Sequence, residues 1–232
     1  MYSLSGVFQT IPVVQIDDST FFQKMLIVIA VGVIGYILGS LCFAIIFTRL
    51  FIKKDIRKLG SGNAGTANVI RNVGIIPGIL TGIFDFAKGV ASVYIGFILF
   101  QMVGFEIYSG GCFATIFVLL GHFYPVFFNY RGGKGVMTLG GIIAMLHLKL
   151  FVILAAIYFT VLFVAKMTSL AALVTFSVLP AANIVFCIVE GNSWITSTLF
   201  YLCITVLIFY THRENIKRLK DGTEPKLFKT KK

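Results

Sequence analysis

The chain has 232 residues, of which 58% are hydrophobic and only 12% charged; its mean hydropathy is +0.94 and its formal net charge +11. A soluble domain carries roughly 25% charged residues, so this composition excludes an ordinary soluble protein and indicates a polytopic membrane protein. The basic residues are scattered between apolar runs, which indicates membrane orientation and anionic ligands rather than nucleic-acid binding.

The first 24 residues form a polar tail that has no Lys or Arg before Lys24. A secretory signal needs a basic start, so this tail is not one, and the residues assign it no function. A membrane domain is predicted over 25–211, and a basic tail over 212–232. The apolar runs of the membrane domain are 25–48, 72–105, 107–130, 135–148, 150–165, 167–189 and 191–211.

Three of these runs do not have the length of a single crossing, which takes about 20 residues. The run 72–105 is too long, and Pro77 with its neighbouring glycines predicts a broken or interfacial first part before a crossing near 86–105. The runs 135–148 and 150–165 are short, so they either both cross or form a re-entrant hairpin. Lys149 is expected in a tight turn between them.

The basic residues fix the expected orientation. If both short runs cross, most of the 20 Lys and Arg residues fall on one side, and that side is cytoplasmic by the positive-inside rule. The sequence therefore predicts an all-α membrane protein of about seven transmembrane helices, with the N-terminus outside and the C-terminus in the cytoplasm. Five spans with a re-entrant hairpin would keep the same sidedness.

Two glycine-rich loops lie on the predicted cytoplasmic side. The first, LGSGNAGTANVIRN, contains short polar donors and an arginine that could hold an anion: Gly60, Ser61, Gly62, Asn63, Asn68 and Arg71. The second, YRGGKG, contains Gly132, Gly133, Lys134 and Gly135. Plain alternatives are a flexible basic loop at the membrane surface and an anchor to lipid headgroups.

The last apolar run is followed by HRENIKRL, in which His212 could accept a proton and Asn215 shares its helix face. Capping of the preceding helix and headgroup binding are the plain alternatives. Ser169 is interpreted as a helix N-cap that could also meet an anion. Asp85 and Lys88, spaced i and i+3, are expected to pair within the membrane, and His122 to be an ordinary packed histidine.

Several chemistries lack their sequence signatures. The four cysteines stand singly in apolar runs, which predicts buried side chains and neither a metal site nor a redox pair. No acidic metal cluster is present, which argues against metal-dependent lipid phosphotransferases, and no metal or cofactor is expected. Covalent catalysis is not indicated, because no positioned nucleophile is found, and the Walker A motif and the H-x4-D motif of many acyltransferases are also missing. A donor-rich cytoplasmic surface above apolar spans suits a phosphorylated substrate with an acyl chain. A transporter of phosphorylated metabolites and an anionic-lipid-binding scaffold are the alternatives.

These motifs together resemble the bacterial acyl-phosphate:glycerol-3-phosphate acyltransferases. The resemblance covers about four-fifths of the chain and rests on KKDIRKLGSGNAGTANVIRNVG, DFAKG, GHFYPVFFNYRGGKGVMT, TSLAAL and HRENIKRLKDGTE. It implies a seven-helix bundle in the bacterial inner membrane. The implied reaction moves an acyl group from acyl phosphate to the sn-1 hydroxyl of glycerol 3-phosphate, giving lysophosphatidate and phosphate, and the implied partner is the soluble enzyme that makes acyl phosphate.

The resemblance also implies roles for individual residues. Ser61, Lys134, His212 and Asn215 match catalytic positions, and the substrate-binding positions add Arg71 and Ser169. The glycine-loop positions that match are Gly60, Gly62, Asn63, Asn68, Gly132, Gly133 and Gly135. A mixed anhydride is already activated, so the protein mainly positions and neutralises, and the proton acceptor is either a substrate phosphate or His212.

Overall fold

A computed structural model describes residues 20–193 and 195–227, and the regular elements in these ranges are all helices, without a strand. The predicted all-α class is confirmed for these residues. Most of the predicted polar tail and the end of the basic tail lie outside the described residues. The chain divides after His147 into two compact units. We call the described parts of these units the N-terminal unit (residues 20–147) and the C-terminal unit (residues 148–193 and 195–227).

The N-terminal unit contains six α-helices and two short 3₁₀ turns. The helices are α1 (Phe21–Ser40), α2 (Phe43–Ile52), α3 (Thr66–Asn72), α4 (Ile75–Met102), α5 (Ile107–Phe123) and α6 (Val136–Leu146), and the turns are Ile56–Lys58 and Val126–Phe128. Helix α5 packs against α1 and α4, and α4 also packs against α6. Glycines at the crossings allow this, because a Cβ on Gly39, Gly89 or Gly96 would overlap the backbone of the facing helix.

Helix α4 contradicts the predicted break in the run 72–105, because it is continuous from Ile75 to Met102. Pro77 lies in its first turn, where the N–H that proline lacks would have no intrahelical partner, so the helix is not interrupted. Gly78 serves packing instead, because a Cβ there would overlap Ile70 of α3. At about 1.5 Å per residue the helix is roughly 42 Å long, longer than the hydrocarbon core of a bilayer.

The C-terminal unit contains four α-helices: α7 (Leu148–Ala165), α8 (Thr168–Val189), α9 (Ile195–Thr211) and α10 (Arg213–Lys220). Helix α8 packs against α7 and α9, and α9 meets α10 at a bend of 60°. The tight turn predicted at Lys149 is wrong. The helical pattern is interrupted at His147, and Lys149 lies within α7 and forms an ion pair of 2.9 Å with Glu190.

Within the described residues, five helical segments are long and apolar enough to cross a membrane, or six if α9 and α10 form one bent span. The first is Phe21–Ile52, in which α1 and α2 are separated by a break at Leu41 and Cys42. Helix α6 is apolar but has only 11 residues, about 17 Å, which is short for a crossing. The chain is therefore an integral membrane protein, and the seventh crossing stays a prediction.

Candidate active site

The first glycine-rich loop is wrapped around one buried side chain, that of Asn68 in α3. Its Nδ2 lies 3.0 Å from the carbonyl oxygens of Leu59 and Asn63, and its Oδ1 accepts a hydrogen bond of 3.2 Å from the Ser61 N–H. Asn68 is only 1% exposed. Its amide is thus used to shape the loop, whereas Ser61 is exposed on the loop that Asn68 organises.

Glycine is required at the tip of this loop. Gly60 has φ +53°, and a Cβ there would overlap the side chains of Asn68 and Asn72. The loop turns so tightly that the N–H groups of Gly60, Asn63 and Ala64 donate to no acceptor among the described residues. Unused backbone donors on a glycine-shaped loop are the feature expected of a phosphate-binding loop.

The second glycine-rich loop uses its glycines differently. The N–H groups of Gly132 and Gly133 donate to the carbonyl oxygens of Phe123 and His122, at 3.1 and 3.2 Å. These two amides are therefore occupied within the fold. Both glycines allow close approach instead, because a Cβ on Gly132 would overlap the His122 carbonyl and one on Gly133 would meet the His122 ring and the Ala64 carbonyl. The loop that carries Lys134 is thus fixed against α5 and the first loop.

Arg57 connects the two loops, and the sequence analysis did not single it out. Its guanidinium donates to both carboxylate oxygens of Asp55, from Nε at 3.1 and 3.3 Å and from Nη2 at 2.7 Å. Its Nη1 donates to the carbonyls of Phe128 and Arg131. These hydrogen bonds, with some opposition from burial, lower the pKa of the Asp55 carboxyl from 3.8 to about 2. The carboxylate therefore stays ionised, and the arginine stays in place, over the whole physiological pH range.

A buried ion pair lies beneath these loops. Lys88 contacts Asp85 at 2.8 Å, which confirms the predicted pair, and also donates to the carbonyls of Gly39 and Leu41 at 3.1 and 2.8 Å. Those carbonyls lie at the break between α1 and α2, where helical hydrogen bonds are missing. The pair therefore stabilises the break in the first span.

His122 is buried next to this ion pair, as predicted for a packed histidine. Its Nδ1 lies 3.3 Å from the Thr138 hydroxyl and 3.9 Å from the Asp85 carboxylate. It is 4% exposed, and its ring packs so closely against Gly133 that a Cβ on that residue would overlap it. His122 thus connects the buried polar groups to the second loop.

In the C-terminal unit, His212 is 3% exposed at the junction of α9 and α10. Its Nδ1 lies 2.9 Å from the carbonyl oxygen of Ile208, which can only accept, so Nδ1 carries a proton. In the neutral ring Nε2 is then the nitrogen able to accept a hydrogen bond or a proton. The contact to Ile208 also caps α9, as one of the plain alternatives predicted.

Glu224 organises the other polar groups of this unit, and the sequence analysis did not identify it. The Asn215 amide and the Arg218 Nε donate to its two oxygens at 2.6 and 2.8 Å. The buried Ser169 Oγ has no partner within hydrogen-bond distance but is near enough to act on the same carboxylate. Burial would raise the pKa of Glu224, but the nearby Ser169 hydroxyl and the hydrogen bonds from Arg218 and Asn215 together outweigh it and lower the pKa from 4.5.

Ser169 itself is not a helix N-cap, contrary to the prediction. The residue at that position is Met167, and Ser169 is the second residue of α8. The chain beyond α10 returns to this point, because the Leu227 N–H donates to the Lys166 carbonyl at 2.7 Å. This return is what brings Ser169 and Asn215 to one carboxylate.

The sequence matches the family model described as glycerol-3-phosphate acyltransferase over residues 29–222. The glycerol-3-phosphate acyltransferase of Carboxydothermus hydrogenoformans is 38% identical to it, over 86% of this chain and 96% of the relative's length. That of Macrococcus caseolyticus is 36% identical, over 84% of this chain and 94% of the relative's length. The fold is similar to the crystal structure of PlsY, an integral membrane glycerol 3-phosphate acyltransferase, in its glycerol 3-phosphate form. That similarity has a TM-score of 0.75 at 30% identity and covers 88% of this chain and 96% of PlsY. The lysophosphatidic acid form of PlsY matches with a TM-score of 0.72.

Proposed function

The chain belongs to the glycerol-3-phosphate acyltransferase family, and we propose that its polar loops and tail act in moving an acyl group from acyl phosphate to the sn-1 hydroxyl of glycerol 3-phosphate. The hydroxyl oxygen attacks the acyl carbonyl, the bond from that carbon to the phosphate oxygen breaks, and lysophosphatidate and phosphate are formed. The feature that carries this proposal is the first glycine-rich loop. It offers unused backbone donors and the exposed Ser61, beside Arg71 at the end of α3.

Both substrates carry phosphate, so the main electrostatic obstacle is their mutual repulsion. We assign phosphate binding to the first loop with Ser61 and Arg71, and to Lys134, whose position the occupied amides of Gly132 and Gly133 fix. Asn68 and the loop glycines contribute by holding this shape. A mixed anhydride is already activated, so positioning and neutralisation supply most of the rate enhancement.

We assign to the C-terminal unit the binding of the glycerol part of glycerol 3-phosphate. His212 is held by Ile208 with Nε2 as its acceptor nitrogen, and Asn215 is oriented by Glu224. We assign to them the orientation of the attacking hydroxyl, with Ser169 as a further polar contact. The proton of that hydroxyl passes to a phosphate oxygen of the substrate, which is the simplest acceptor for a reaction that releases phosphate.

For the membrane arrangement we propose seven crossings: the five long apolar segments, the short helix α6 and helix α9, with α10 in the cytoplasmic tail. The acyltransferase domain is then 25–211, with the N-terminus outside and the basic tail 212–232 in the cytoplasm. The distribution of Lys and Arg supports this sidedness. The two relatives named above are bacterial, which supports a place in the bacterial inner membrane, close to a soluble enzyme that makes acyl phosphate.

Removal of single phosphate-binding groups tests this assignment. Arg71→Ala and Lys134→Ala should each lower kcat/KM by roughly 10²-fold, because each leaves phosphate charge without its partner. Lys217→Ala removes the same charge from an exposed position of α10 and serves as the control. Equal activity in all three variants would refute the assignment.

A further inference from the structure

The segments that lead into the two glycine-rich loops of the N-terminal unit line an open cleft that the proposed reaction does not use. Its volume is about 420 Å³, within the size range of ligand sites, and every residue that lines it is polar. The lining residues are Asp55, Arg57, Lys58, Asn129 and Arg131. None of them belongs to the groups assigned above to the substrates.

The charge of the cleft favours an anion. Its one carboxylate, Asp55, is neutralised by Arg57 at 2.7 Å and by Arg49 at 3.5 Å. Lys58 and Arg131 are exposed, and among residues 20–193 and 195–227 neither side chain forms an ion pair or a hydrogen bond. Two cations without counter-ions therefore face a space whose acid is already compensated.

The walls of the cleft are fixed in position. Arg57 spans them, since it is held by Asp55 on one side and donates to the Phe128 and Arg131 carbonyls on the other. The turn that carries Asn129 has two successive residues in the left-handed region, with φ +56° and +55°. Such a conformation is costly for residues other than glycine and persists only where neighbouring contacts maintain it.

The cleft also lies at the ends of apolar helices. Leu50 and Phe51, just before the first loop, are 71% and 48% exposed, and Phe127 and Tyr130, beside the second, are 56% and 59% exposed. Exposed aliphatic and aromatic side chains next to Lys and Arg are typical of the headgroup level of a bilayer. Phosphate groups are the most abundant anions at that level.

We propose that this cleft binds a phosphate group, either that of an anionic phospholipid headgroup or that of a free phosphate ester. Lys58 and Arg131 contact the phosphate. Arg57 keeps the two walls of the cleft at a fixed distance from each other. The location of the cleft beside exposed apolar side chains makes the headgroup of a neighbouring lipid the first source to test. The proposal does not depend on the acyl-transfer reaction.

The test compares two double variants of the full chain. Lys58→Ala/Arg131→Ala removes two charges from the cleft. Lys53→Ala/Lys54→Ala removes two exposed charges from the neighbouring segment before Asp55, which do not line the cleft. Native mass spectrometry in detergent, with phosphatidylglycerol or phosphatidylcholine of the same chains, measures lipid binding. We expect on the order of a tenfold loss of phosphatidylglycerol affinity in the cleft variant only. Melting temperatures without lipid verify that both variants fold.

A second arm distinguishes the two sources of phosphate. The rise in melting temperature on adding inorganic phosphate is measured for the same variants. If phosphatidylglycerol binding is unchanged but this rise is smaller in the cleft variant than in its control, the cleft takes free phosphate esters. If the two double variants behave alike with both probes, the loop attracts anions only through its general charge, and the proposal is wrong.

Discussion

The loops of the N-terminal unit and the tail of the C-terminal unit are both polar segments next to apolar helices, but different interactions fix their shape. The loops are held by hydrogen bonds to the main chain: Asn68 and Arg57 donate to main-chain carbonyls, and glycines allow the loop segments to pack closely. The tail is held by one carboxylate, Glu224, through side-chain hydrogen bonds. Steric changes should therefore damage the loops most, and changes of charge or pH should damage the tail most.

The largest effect is expected from Gly133→Ala. A Cβ there would meet the Ala64 carbonyl and the His122 ring, so the loop must shift and carry Lys134 with it. A displacement of about 1 Å can lower activity by roughly 10²-fold. Steady-state kinetics with both substrates measure the loss in kcat/KM.

Gly82→Ala is the matched control for this steric effect. The atoms nearest to its added Cβ lie at 3.4 and 3.5 Å, which is ordinary contact, so kcat/KM should change little. Similar losses in the two alanine variants would mean that close packing at Gly133 is not what fixes the loop.

His212→Ala should have the next largest effect. If His212 orients glycerol 3-phosphate, the variant loses one hydrogen bond to a charged substrate, and KM for glycerol 3-phosphate rises by about 10- to 100-fold with a smaller change in kcat. A loss confined to kcat, with KM unchanged, would instead identify His212 as the base. Kinetics at saturating acyl phosphate separate the two roles.

Glu224→Gln probes the tail without changing its size. Because hydrogen bonds lower the pKa of Glu224 in the folded protein, its stabilising contribution is present above pH 4.5 and is lost as the pH falls through the lowered pKa. The wild-type melting temperature should therefore approach that of the variant below pH 4.5. A constant difference between the two curves from pH 7 to pH 3 would contradict this account.

The smallest effect expected is a difference in pH response between the two regions. The pKa of Asp55 is about 2, so its contact with Arg57 persists to low pH, whereas the stabilising contribution of Glu224 is lost as the pH falls below 4.5 and through its lowered pKa. Hydrogen exchange measured at pH 6 and pH 3.5, corrected for intrinsic rates, should show loosening over 212–227 and little change over 53–65. Equal loosening of both segments would remove the distinction between them.

Much of the fold was predictable because long apolar runs have few alternatives to membrane helices. The predictions for individual residues failed where they depended on the residue's position within its helix, which the sequence does not give. Pro77 breaks a helix in its interior but not in its first turn, so α4 is continuous. Ser169 has the chemistry of an N-cap, but the extended backbone at Met167 begins α8 earlier.

The candidate site was predictable in its residues but not in their contacts. The motifs identified the loops, whereas the internal use of the Asn68 amide depends on how the loop closes around it. Glu224 was missed because its role requires the chain to return to α8 after Gly222, a turn of φ +66° that composition does not specify. Asp85 and Lys88 were predicted to pair, but the sequence did not indicate that Lys88 also binds the carbonyls at the break between α1 and α2.

The most direct test of the account is turnover by the purified protein in lipid. Labelled glycerol 3-phosphate is supplied with palmitoyl phosphate, with palmitoyl-CoA, or with no donor. We expect lysophosphatidate from palmitoyl phosphate alone, with an equal amount of phosphate released. Product from palmitoyl-CoA alone, or no product with either donor from protein shown to be folded, would contradict it.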